Sequence, residues 1–148
     1  MPDTDRWPTG RLLTTAARLV EHDWNERLAG IGVTHAGIIA LDVLEARGSM
    51  SQATLAFWVR VQAQTMGKTL NRLELRGHVQ RARSTEDRRS QLVSLTEEGR
   101  KVLALAQKME SGLLDSTGMD DAALRKFLRQ IINNLGRTEL SLPSSDSQ

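Results

Sequence analysis

Apolar residues recur at helical spacing over most of the chain. Leu12, Leu13, Ala16, Ala17, Leu19, Val20, Trp24 and Leu28 predict a first long helix. Pro8 suits its first turn, and Gly30 and Gly32 end it. Thr34 is the expected N-cap of a second helix that carries Ile38, Ile39, Leu41, Val43 and Leu44 and closes at Gly48. Ser51 caps a short third helix with Leu55, Ala56 and Val59, and Arg60 to Gln62 make a turn. A fourth helix, from about Ala63 to Arg76, points Met66, Leu70 and Leu73 one way. Gly77 ends it as a left-handed cap.

The period then changes. Val79 to Arg83 reads as a strand, and Gln91 to Leu95 alternates as its partner. The polar connection between them is too long for a two-residue turn. Thr96 opens a fifth helix with Glu97 and Glu98 at its positive end and Val102, Leu103, Leu105, Ala106, Met109, Leu113 and Leu114 on its stripe. A break near Thr117–Gly118 precedes Asp120 and Asp121, which start a sixth helix with Leu124, Phe127, Leu128, Ile131, Ile132 and Leu135. The last residues, 139–148, are polar and read as a disordered tail.

Composition narrows this picture. A chain of 148 residues suits one domain with helical extensions, and 39% hydrophobic with 26% charged residues is ordinary for a globular protein. No apolar run approaches a membrane span, and the polar start lacks the pattern of a secretory signal. Cysteine is absent, which removes disulfides and thiolate chemistry and fits the cytoplasm. The three histidines are scattered without metal-ligand spacing, so neither a metal nor another cofactor is expected. Net charge is only +2, but residues 60–100 hold nine Lys/Arg against five acids, leaving the remainder acidic. Such a concentration suits a phosphate-facing surface.

A short helix, a turn and a second helix form a helix-turn-helix, whose second helix fits a major groove. Gln62, Gln64, Thr65, Lys68, Asn71 and Arg72 lie on its outward face. Gln64 and Asn71 suit paired hydrogen bonds to adenine, Lys68 and Arg72 suit guanine or phosphate, and Thr65 suits a thymine methyl or phosphate. Gly67 is unusual inside a helix and reads either as room for close approach to DNA or as a tolerated surface glycine. The hairpin is a wing whose Arg83, Arg88 and Arg89 suit phosphates or a narrow minor groove. Asp87, two residues before Arg89, is placed to brace it.

The ordered set is similar to the MarR family of winged-helix transcription factors. Within the run from Leu55 to Arg81, Thr65, Arg72-Leu73-Glu74, Gly77, Val79 and Arg81 match the family pattern. The wing and exit match as Asp87, Arg89, Leu95, Thr96, Gly99 and Arg100. The resemblance implies a mainly α fold. A winged helix-turn-helix lobe with a two-stranded β wing occupies residues 34–95, and dimerisation helices occupy 7–33 and 96–138. It further implies a cytoplasmic, homodimeric regulator of double-stranded DNA, acting as a repressor on a pseudo-palindromic operator. Release by a small aromatic or anionic effector is a further implication. By analogy, Trp24, Arg27, His35, Ile39 and Arg47 are its candidate contacts.

The chain also departs from the pattern. Arg60 stands where glycine is usual, which implies a strained turn or a different turn geometry. Asn71 replaces a frequent Asp, which removes an ionic brace on the wing and leaves more of that task to Asp87. Phe57 and Trp58 replace polar residues, and core packing is expected for at least one. No nucleophile elbow, phosphate loop or metal signature supports an enzyme. The rival reading is a helical homodimeric interaction module without DNA binding.

Overall fold

A computed structural model describes residues 3–83, 91–110 and 118–139. The chain divides into two compact units, residues 1–35 and 36–148. In the first, a 3-10 turn at Thr4–Arg6 precedes helix α1, Thr9–Ala29. Pro8 is the N-cap of α1 and Gly30 its C-cap, while Gly32 takes a positive φ of 79° beyond it. Trp24, Leu28 and Val33 are buried.

The second unit is ordered α2 (His35–Arg47, its first residue belonging to the first unit), β1 (Met50–Ser51), α3 (Gln52–Val59), α4 (Ala63–Leu75), β2 (Val79–Arg83), β3 (Gln91–Leu95), α5 (Glu97–Glu110) and α6 (Asp121–Glu139). The described helices start within a residue or two of the positions that periodicity predicts, while Leu113 and Leu114 of the expected fifth helix, Thr117 of the expected break and residues 140–148 of the expected tail lie outside the described residues. The two expected wing strands, β2 and β3, pair as predicted, and a short strand that periodicity did not predict, β1, joins them. The sheet has three antiparallel strands in the order β1-β3-β2. Met50 pairs with Val93 and Ser51 with Leu92, while β2 runs from Val79 opposite Leu95 to Arg83 opposite Gln91. A two-residue strand is too short to show alternation, and Ser51 is at once strand residue and N-cap, its hydroxyl accepting from the Thr54 N–H at 3.2 Å.

The core of this unit gathers Ile38, Leu41 and Leu44 of α2, Leu55 and Ala56 of α3, Met66, Leu70 and Leu73 of α4, Val79 and Val93 of the sheet, and Val102, Leu103 and Ala106 of α5. Neither Phe57 nor Trp58 joins it. Leu55 and Ala56 fill the inward face of the short α3, so Phe57 is half-buried and Trp58 is 37% exposed. Trp58 instead lies beneath the Arg47 guanidinium, 3.5 Å from ring centroid to Cζ, and meets Phe57 edge-on. The terminal helices keep apolar surface uncovered. Leu19 of α1, Leu105 of α5 and Phe127, Ile132 and Leu135 of α6 are each at least half exposed. No described side chain of α6 is buried.

Two backbone positions break local rules. Arg60 takes φ 67° and ψ 44°, alone among the described non-glycine residues in having a positive φ, so the turn is the strained one. A side chain in that region costs roughly 1–2 kcal/mol. Gly136 sits inside α6, where glycine costs about 1 kcal/mol against alanine.

The joint between α4, β2 and α5 explains the Leu-Thr-x-x-Gly-Arg run. The Thr96 hydroxyl donates to the Gly77 carbonyl at 2.6 Å and accepts from the Gly99 N–H at 3.0 Å, capping α5. The Thr96 N–H donates to the His78 carbonyl at 3.2 Å. Gly99 then packs so closely that an added Cβ would collide with that same carbonyl and lie 2.7 Å from Leu95 Cδ1. Arg100 reaches Glu45 of α2 at 3.4 Å. Gly99→Ala should therefore destabilise the fold by about 1–3 kcal/mol, despite alanine's better helix propensity, as read from the urea midpoint. His78 itself is buried, and its Nδ1 has no hydrogen-bond partner among the described residues. Burial first, then the neighbouring Arg76, holds its pKa below the ordinary value, against an opposing pull from Glu98. The fold thus favours neutral imidazole. Its stability contribution is complete above the unfolded-state pKa of about 6.5 and falls as pH drops below it. Between about pH 8 and about pH 5.5, His78→Gln should lose less stability than the parent chain in parallel urea titrations.

Candidate nucleic-acid interface

Helix α4 is anchored through Met66, Leu70 and Leu73 and turns its polar residues outward. Gln62, Gln64, Thr65, Lys68, Asn71 and Arg72 are all exposed. Gln62 is the N-cap but spends no side-chain hydrogen bond on the helix, so its amide and Gln64 stand at an end whose N–H groups face outward. Among the described residues, neither Lys68 nor Arg72 forms an ion pair. Cations without an internal partner, on a face held rigid from behind, suit a polyanion.

Gly67 has a third explanation beyond the two that sequence offers. It is half-buried, and an added Cβ would lie 2.9 Å from Gln52 Nε2. That amide donates to the Ala63 carbonyl at 2.9 Å. The glycine makes room for a side chain of α3 to cross to the start of α4, fixing the two helices of the motif together.

The wing root is braced by a side chain that sequence reasoning quoted only as part of a pattern. Arg81 of β2 places its guanidinium against Glu74 of α4, with Nε and Nη2 each 3.2 Å from a carboxylate oxygen. Its Nη2 also donates to Asn71 Oδ1. The hydrogen bond from Arg81 holds the Glu74 carboxyl below its ordinary pKa. So the brace expected to be lost with Asp at position 71 persists in altered form. The amide supplies a neutral acceptor, and Glu74 supplies the charge. The same Asn71 oxygen would be the acceptor toward adenine, so Arg81 takes one of its two lone pairs and orients the amide. Glu74 lies on α4 and Arg81 on β2, with the turn at Gly77 between them, so no single period relates the two and spacing gave no signal.

Arg83 ends β2 and is exposed. Asp87, Arg88 and Arg89 lie outside the described residues.

The residues considered for an effector fall in both units. In the first, Trp24 stacks nearly parallel on His35 with centroids 5.7 Å apart, and the His35 N–H donates to Asn25 Oδ1 at 2.8 Å. Arg27 pairs with Asp23 at 3.2 Å. In the second, Ile39 is 37% exposed and Arg47 covers Trp58. The structure therefore joins Trp24 to His35, while Arg27 and Arg47 each have another partner.

Comparison with known proteins follows the same lines. The model of the MarR family matches residues 33–91. An HTH-type transcriptional regulator of Bacillus subtilis, YwoH, is 37% identical over 89 residues, covering 60% of this chain and 64% of the relative. The match thus spans less than two thirds of that relative's length. The transcriptional repressor CouR, solved bound to a 23-mer DNA duplex, superposes with a TM-score of 0.76 at 26% identity, covering 90% of this chain and 95% of CouR. BpsR of Bordetella bronchiseptica, whose DNA binding is regulated by 6-hydroxynicotinic acid, superposes with a TM-score of 0.72 at 24% identity, covering 82% of this chain and 96% of BpsR. The helix-turn-helix, the braced wing root and the capped α5 thus follow the order of the MarR family, to whose model residues 33–91 are similar.

Proposed function

We propose that this chain is a regulator that binds double-stranded DNA as a homodimer on a pseudo-palindromic operator and represses transcription. The observation that carries this reading is the outward face of α4, where Gln62, Gln64, Thr65, Lys68 and Arg72 are exposed and the two cations have no ion-pair partner among the described residues. Gln64 reads bases, Lys68 and Arg72 hold phosphates or guanine, and Arg83 with Arg88 and Arg89 extends the contact along the wing. CouR, with the same fold, is described as a repressor bound to duplex DNA. Pairing is supported by α6, which has a clear apolar stripe and yet buries none of its described side chains. A second copy would cover that stripe and place two reading helices about one helical turn of DNA apart. Such work places the protein in the cytoplasm. No described helix is long and apolar enough to cross a membrane.

Release by an aromatic acid is the regulatory part of the proposal. The relative regulated by 6-hydroxynicotinic acid supports an effector of that chemistry. The candidate contacts are Trp24, Arg27 and His35 in the first unit and, separately, Ile39 and Arg47 in the second.

Selection of binding sites from a random duplex library, with and without aromatic acids, tests the whole reading. A palindromic consensus is expected, with binding weakened by an acid. If no sequence is enriched and salt leaves duplex binding unchanged, the chain is a helical pairing module and the DNA reading is wrong. Lys68→Ala and Arg72→Ala should each reduce the slope of log affinity against log salt by about one. Gln64→Ala should instead relax preference at one base pair by about 1–3 kcal/mol, with little effect on random duplex.

A further inference from the structure

Two residues that are locally unfavourable meet at one contact. Arg60 holds a left-handed conformation that glycine would adopt without strain. Gly136 interrupts a helix that alanine would favour. A Cβ on Gly136 would fall onto the Arg60 guanidinium, 2.7 Å from its Cζ. The guanidinium therefore fills the space of the side chain that position 136 lacks. It lies beside the last turn of α6, the negative end of the helix dipole, which favours a cation. Each anomaly has no local benefit, and each is what the other needs.

We infer that Arg60 is a positioning residue that ties the turn of the helix-turn-helix to the end of α6, and so fixes how α4 is held relative to the pairing helix. The backbone N–H of Arg60 donates to the Ala56 and Phe57 carbonyls, so the residue is fastened at both ends. Gln52 and Gly67 lock α3 to α4, which passes the constraint from the turn to the reading helix. In a dimer paired through α6, this strut sets the separation of the two reading helices, and hence which half-site spacing is accepted. That functional half rests on the DNA-binding reading above, whereas the strut itself does not.

Hydrogen exchange on the intact chain tests the strut without DNA. In Gly136→Ala the added methyl displaces only the flexible end of Arg60, so the fold is retained. Amide exchange should then rise severalfold around Arg60–Gln62, and Arg60→Gly should raise it severalfold in α6 around Gly136. If Gly136→Ala merely slows exchange within α6, as better helix propensity alone predicts, and leaves the turn unchanged, the inference is overturned. Binding to duplexes whose half-sites are moved one base pair closer or further tests the consequence. The parent chain should prefer its own spacing by about tenfold, and both variants should flatten that preference to about twofold while keeping most of their affinity at the best spacing. An unchanged spacing preference in both variants would refute the positioning role. Absence of sequence-specific binding by the parent chain would refute the DNA reading, with the exchange measurement still deciding the strut.

Discussion

The winged lobe depends on the close approach of α5 to the backbone at His78. Three elements converge there: the end of α4, the start of β2 and the start of α5. The His78 N–H donates to the Leu73 carbonyl at 2.8 Å, closing α4. Its carbonyl accepts from Thr96, and Gly99 lies directly against it. Because these bonds join backbone to backbone, the angle between the reading helix and the sheet is set without reliance on long side chains. Arg81 then adds a second tie further along β2, from strand to helix surface. The DNA contact proposed above would need a fixed mutual geometry of α4 and the wing strands, and this joint ties the two together.

Much of this was legible in the chain. Met66, Leu70 and Leu73 define the buried face of α4 by period alone, and Ser51 and Thr96 announce their helices by chemistry that has one structural use. What periodicity could not deliver were contacts between residues far apart in sequence, or elements too short to have a period. The strand at Met50–Ser51 belongs to the second kind. The Arg81 bridge and the Arg60–Gly136 contact belong to the first. Trp58 misled for another reason. Its size argues for burial, but an aromatic face can be covered by a guanidinium whose own charge stays in water. Of the candidate site, the face of α4 was legible because exposure is the complement of a clear apolar stripe. The Asn71 oxygen engaged by Arg81 was not, since an acceptor's partner is fixed only by the fold.

The departures from the family pattern at Arg60 and Asn71 differ in kind. Asn71 substitutes for a charge in place, with Glu74 already on hand to neutralise Arg81. Arg60 strains a turn that glycine would leave relaxed, and its side chain leaves the motif altogether to reach α6. The first change preserves an existing tie, and the second adds one.

Ser51 has a consequence for how the chain can vary in length. One residue pairs with Leu92 across the sheet and also caps α3 through its hydroxyl, while the hydroxyl of Ser49, two residues earlier, meets that of Ser94 at 2.8 Å. Strand register and helix phase are thereby counted from the same position. An insertion or deletion between Ser49 and Gln52 could preserve one count only by shifting the other, turning α3 by about 100° for each residue gained or lost. Length change at this crossing is opposed from both sides, because sheet and helix share a single residue as their origin.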